Sequence, residues 1–132
     1  MADLFKLHII TPERKFYEGE ASMVELTTRE GDIGVYRNHI PMTAIVAPGI
    51  LKIHQEDGVK EAALMSGFIE ILPEKIVIMA EVVEWPGEID ANRAEEAKVR
   101  AERRLKELSG EIDIIRAETA LKKALIRLSL TK

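Results

Sequence analysis

The stretch VVEWPGEIDANRAEEA, Val82 to Ala97, contains the change of rhythm that decides the fold. Before Trp85 the apolar residues come in short, β-branched runs that often alternate with polar ones; after Gly87 they recur at intervals of three and four. The first pattern lays one face of a strand on a core, and the second does the same for a helix. Pro86 and Gly87 continue neither element, so the chain is expected to divide into residues 1–85 and 86–132.

Working back from this boundary, strands are predicted at LFKLHII, KFYEGEA, MVELTT, MTAIVA, ILKIH, KEAALMS, FIEIL and KIVIMAEVVEW. They are separated by TPER, REGDIG, APG, EDG, SG and LPEK, where Gly, Pro or Asp suits a chain reversal. About eight strands with short turns and no helices between them predict an antiparallel sandwich or flattened barrel, and disfavour parallel pairing.

Working forward, Asp90 suits an N-cap or a first-turn carboxylate, and a helix is predicted from Asp90 to Leu108 with Ala94, Ala97, Ala101, Leu105 and Leu108 on one face. Ser109 and Gly110 interrupt it. A second helix, Glu111 to Leu128, turns Ala117, Ala120, Leu121, Ala124, Leu125 and Leu128 to one side. The expected fold is therefore α+β: an N-terminal antiparallel β-sandwich followed by a C-terminal two-helix antiparallel hairpin. Its alanine-rich seam buries little area per residue, which makes the hairpin modestly stable and suited to movement.

The two helices open on nearly the same word, EIDANRAEEA (Glu88–Ala97) and EIDIIRAETA (Glu111–Ala120), with seven of ten positions identical. Two copies are too few for a solenoid. A structural account suffices for much of this, since Asp near a helix start complements the macrodipole and Asp90 with Arg93, or Asp113 with Arg116, are i, i+3 pairs. A functional account begins with the cations. Arg93 and Arg100 share one helical face, as do Arg116, Lys123 and Arg127, so facing stripes would repel unless an anion such as a polyphosphate, or carboxylates of the same faces, neutralised them.

Composition narrows the classes. The 132 residues are 46% hydrophobic, enough for a core, and contain no cysteine, which excludes disulfides, thiolate metal sites and cysteine nucleophiles. No apolar run is long enough to span a membrane. The net charge of −4 combines 8 Lys and Arg against 14 Asp and Glu in residues 1–85 with 11 against 9 in residues 86–132. An acidic chain overall, with little aromatic content, argues against nucleic acid as the main partner, whereas the basic second part could hold a small anion. His8, His39 and His54 lack metal-ligand spacing, and no phosphate loop, nucleophile elbow or dinucleotide fingerprint occurs. Glu30 with Asp32, and Glu56 with Asp57, are read as solvated turn residues, so no catalytic constellation is expected.

The whole chain resembles the epsilon subunit of bacterial F-type ATP synthases. REGDIGVYRNHIPM (Arg29–Met42) carries the pattern through Gly31, Asp32, Gly34, His39 and Pro41, and MSGFIEILPEKIVIMAE (Met65–Glu81) is similar to the strand pair that follows in the family. YRNH stands where proline and glycine are common in the family, a departure that bears on the shape of that loop. The resemblance implies a non-catalytic central-stalk rotor subunit of a proton-translocating enzyme. It implies that the sandwich binds the gamma subunit and rests on the c-ring, with residues 32–41 near the ring, at the cytoplasmic face of the bacterial cell membrane and without membrane insertion of its own.

The first repeated word also resembles the Ile/Leu-Asp-x-x-Arg-Ala motif of ATP-binding members of the family, through Ile89, Asp90, Arg93 and Ala94. Glu84, Arg100, Lys123 and Arg127 match further acidic and basic positions of that site. Lys123 stands where arginine is familiar, which replaces a bidentate grip on phosphate with a single ammonium. Arg116 either joins the phosphate face or pairs with Asp113 or a carboxylate of the first helix, the structural role being favoured. The resemblance implies ATP as a regulatory ligand, with magnesium allowed but demanded by no residue. It also implies a hairpin that, when extended, enters the alpha/beta catalytic head and blocks ATP hydrolysis. The rival expectations are a structural rotor adapter whose hairpin binds no nucleotide, and a free-standing hydrolase, against which stands the lack of a residue placed to activate water.

Overall fold

The computed structural model describes residues 4–107 and 110–131, which form two compact units, Met1–Glu84 and Trp85–Lys132. The first is all strand: β1 Phe5–Ile10, β2 Lys15–Ala21, β3 Met23–Thr28, β4 Gly31–Tyr36, β5 Met42–Val46, β6 Gly49–Gln55, β7 Gly58–Leu64, β8 Gly67–Ile71, β9 Lys75–Ala80 and β10 Val83–Glu84. Neighbouring strands run in the order β10, β7, β6, β3, β5, β8, β9, β1, β2, with β4 on the other side of β3. β3 joins the two layers of the sandwich: Met23–Glu25 pair with β6, while Thr28 pairs with Val46 of β5.

Period-two alternation fills the space between the layers. Leu7, Ile9, Val46, Ile69, Ile71, Ile76 and Ile78 come from one layer and Val24, Leu26, Val35, Leu51, Ile53, Ala62 and Leu64 from the other, all almost fully buried. Two strands cross between layers side by side. β7 becomes β8 at Met65–Ser66, and the run predicted as a single strand, KIVIMAEVVEW, breaks into β9 and β10 at Glu81–Val82. Backbone bonds stitch this corner: the Met65 amide donates to the Val82 carbonyl (3.0 Å) and the Glu81 amide to the Ser66 carbonyl (2.8 Å). Gly67 occupies the corner with φ +153°, pressed against the carbonyl oxygen of Met79.

Two expectations need correction. REGDIG is no simple turn: Arg29 and Glu30 form the two-residue tip, and Gly31 already begins β4, opposite Thr28. Thr28 closes the tip, its hydroxyl donating to the Gly31 carbonyl (2.8 Å) and accepting from the Glu30 amide (3.2 Å), and Gly31 takes φ +125° there. The sheet is also not wholly antiparallel, because β1 lies parallel to β9 from Lys6 with Lys75 to Ile10 with Met79.

The second unit opens with a 3-10 turn, Pro86–Glu88, whose Glu88 carboxylate accepts from the Trp85 amide (2.9 Å). It continues as α1, Ala91–Glu107, and α2, Glu111–Leu130, packed as a hairpin. Asp90 is the N-cap of α1: its Oδ1 accepts from the Arg93 amide (3.1 Å) and its carbonyl from the Ala94 amide (3.0 Å). Among the described residues, Ala94, Ala101, Ala117 and Ala124 are the buried side chains of the seam. Leu108 and Ser109 lie outside the described residues. Asp90→Ala is expected to cost about 1 kcal/mol of hairpin stability, whereas Asp90→Asn keeps the cap; thermal melts of the two variants check this.

Candidate functional site

α2 returns antiparallel along α1, so the sequence-predicted cations sort by position along the hairpin. Arg100 and Arg116 are brought to one cleft between the helices, about 330 Å³, lined also by Ala97, Ala101, Arg104, Asp113, Ala117 and Ala120. The buried Ala101 and Ala117 form its floor, and the small side chains leave room for a ligand group. Arg100, Arg104 and Arg116 are exposed, and among the described residues none of the three makes an ion pair or side-chain hydrogen bond. The favoured expectation for Arg116, a pairing with Asp113 or with a carboxylate of the first helix, is not met among the described residues. The cleft thus presents three guanidiniums suited to charge-assisted bonds with phosphate oxygens.

The other members lie elsewhere. Ile89, Asp90, Arg93 and Ala94 surround the start of α1, Lys123 and Arg127 lie in the later turns of α2, and the antiparallel course brings these to one end of the hairpin. Arg93 is exposed, Ile89, Lys123 and Arg127 are half-buried, and Ala94 is buried. Glu84 belongs to the first unit, on β10 opposite Ala63. Sequence reasoning missed Arg104, although it follows Arg100 by four residues on the same face.

On the sandwich, Gly31, Asp32 and Gly34 lie along β4, and His39 and Pro41 in the connection to β5. Asp32 is a strand residue whose Oδ1 accepts from the Thr27 hydroxyl (2.7 Å), and Met23 Cε lies 2.6 Å from where a Cβ on Gly34 would be. His39 Nδ1 donates to the Ile40 carbonyl (2.8 Å), in a connection where Asn38 has φ 66° and Ile40 is 78% exposed. The pairing of β5, β8 and β9 adds a surface that sequence reasoning also missed. Ile45 pairs with Phe68 and Phe68 with Met79, giving a row of outward apolar side chains 50%, 39% and 43% exposed.

The first unit is thus a sandwich with an exposed apolar row, and the second a hairpin with an arginine-lined cleft. Residues 4–86 match the family described as ATP synthase, Delta/Epsilon chain, beta-sandwich domain, and residues 88–132 the corresponding long alpha-helix domain. The ATP synthase epsilon chain of Alkaliphilus metalliredigens is 50% identical over 132 residues, covering 100% of this chain and 98% of that one. That of Caldanaerobacter subterraneus is 42% identical over 131 residues, covering 98% and 95%.

Among solved structures, a chain of the Euglena gracilis mitochondrial ATP synthase superposes with TM-score 0.76 at 23% identity, covering 88% of this chain and 74% of that one. A chain from the Tetrahymena thermophila mitochondrial ATP synthase central stalk and c-ring gives 0.72 at 14% identity, covering 96% of each. These two likenesses show the shared fold. The chain belongs to the ATP synthase delta/epsilon family, as a subunit of the epsilon type. It is one part of the complex rather than its catalytic subunit.

Proposed function

We propose that this subunit is a central-stalk rotor element of a bacterial proton-translocating ATP synthase, coupling the catalytic head to the c-ring at the cytoplasmic face of the membrane. Its hairpin binds ATP when folded and inhibits ATP hydrolysis when extended into the alpha/beta head. The observation that carries the nucleotide part is the cleft in which Arg100, Arg104 and Arg116 converge without partners among the described residues. Phosphates held there and by Arg93, Lys123 and Arg127 offset the mutual repulsion of the cations. Asp90 spends one carboxylate oxygen on the helix cap, leaving the other for the adenine edge beside Ile89. Because ATP joins both helices, it stabilises the closed hairpin in proportion to its concentration.

On the sandwich, the Ile45–Phe68–Met79 row is the surface we assign to the gamma subunit, and the Gly31–Pro41 segment to the c-ring. Among the described residues no helix is long and apolar enough to cross a membrane. Calorimetric titration of the full chain with ATP and GTP tests the nucleotide reading. Saturable ATP binding is expected, with GTP weaker and affinity at least about tenfold lower in Arg93→Ala and Arg116→Ala, as charge-assisted bonds require. Heats indistinguishable from dilution at millimolar ATP would leave a rotor adapter whose hairpin answers only to proteins.

A further inference from the structure

Asp113 is out of place in a cleft that otherwise offers cations. It shares that cleft with Arg100, Arg104 and Arg116, makes no ion pair or side-chain hydrogen bond among the described residues, and is exposed. Its Oδ2 lies 3.4 Å from where a Cβ on Gly110, the N-cap of α2, would be, so the carboxylate sits beside the first turn of that helix. We infer that Asp113 is an affinity-limiting counter-charge, which weakens the hold of the three arginines on a polyphosphate and so sets the nucleotide concentration to which the hairpin responds. The inference rests on the nucleotide reading above.

Electrostatics gives the sign. A bound triphosphate is attracted by each guanidinium and repelled by the carboxylate a few ångströms away, and the repulsion is lost when the carboxylate becomes an amide of the same shape. Tighter binding would close the hairpin at lower ligand concentration, leaving the sensor saturated where the native chain still responds. Asp113 therefore acts on phosphate, not on the base. Its effect extends to any ligand with the same charge and reach.

The test compares the full-length native chain with Asp113→Asn and Glu118→Gln, titrated with ATP and with inorganic tripolyphosphate. Glu118→Gln removes an equal charge from an exposed position on α2 that does not line the cleft. Asp113→Asn is expected to bind both ligands about tenfold more tightly at low ionic strength, with the gain shrinking toward 0.15 M salt, while Glu118→Gln changes affinity by less than about twofold. Circular dichroism and thermal melts establish that the hairpin of each variant is formed. Equal or weaker binding by a folded Asp113→Asn overturns the role of Asp113 and leaves the nucleotide site standing. If neither the native chain nor Asp113→Asn takes up either ligand at millimolar concentration, the site itself is absent, and this inference falls with it.

Discussion

Gly67→Ala is expected to lose roughly 3 kcal/mol or more of sandwich stability, lowering the melting temperature of that unit by more than about 10 °C. A Cβ on Gly67 would overlap the Met79 carbonyl oxygen and come within 2.8 Å of Ala80 Cα and 2.9 Å of the Met79 carbonyl carbon. All three are backbone atoms of β9, so no side-chain rotation relieves the clash. The backbone conformation adds to it, because φ +153° is one that residues with a Cβ seldom adopt. Gly67 pairs with Val46 on one side and Ala80 on the other, so a displacement there pulls on two ladders. Gly58 supplies the control: φ is +149°, but nothing lies within 4 Å of its missing Cβ. Gly58→Ala should cost only about 1 kcal/mol, from backbone strain alone. Equal melting temperatures for the two variants would show that close packing at the corner contributes nothing.

The second large effect concerns assembly. Phe68→Glu is expected to weaken association with the gamma subunit about a hundredfold, or about 3 kcal/mol, with melting unchanged within a few degrees. Phe68 is the middle of the apolar row, flanked by Ile45 and Met79 on the paired strands, and a partner covering the row would trap the introduced carboxylate away from water. Val59→Glu is the matched control, since Val59 is an outward, 51% exposed residue on β7, a strand that does not carry the row. Co-sedimentation of each variant with gamma reports the difference. Retention of Phe68→Glu at native affinity would move the interface elsewhere on the sandwich.

How legible was the molecule in its sequence? The switch of period at Trp85–Gly87 was plain, and so were the helices, because each signal lies within one local stretch of chain. β4 was hidden because Val35 is its one fully buried residue, and because Gly31 and Gly34 resemble punctuation. The parallel β1–β9 ladder joins strands about seventy residues apart and leaves no local mark. The same reason conceals the Ile45–Phe68–Met79 row, in which each member is an unremarkable residue until register aligns them. In the hairpin, Arg100 and Arg116 were visible as cations on sticky helices. The cleft itself required knowing how the two helices face each other, which is also what places Asp113 beside those arginines.

The parallel ladder between β1 and β9 has a consequence for biogenesis. β1 leaves the ribosome before its inner neighbour β9, which is made about seventy residues later, a delay of roughly 4 to 14 seconds at elongation rates of about 5 to 20 residues per second. Until then β1 can pair only with β2, as an isolated hairpin that is marginally stable in water. The nascent chain therefore carries an unclosed apolar strand pair until β9 is made, and closure of the sandwich becomes a long-range step. A chaperone that shields Phe5, Leu7 and Ile9 during that interval should raise the yield of folded subunit more than one acting on the finished chain.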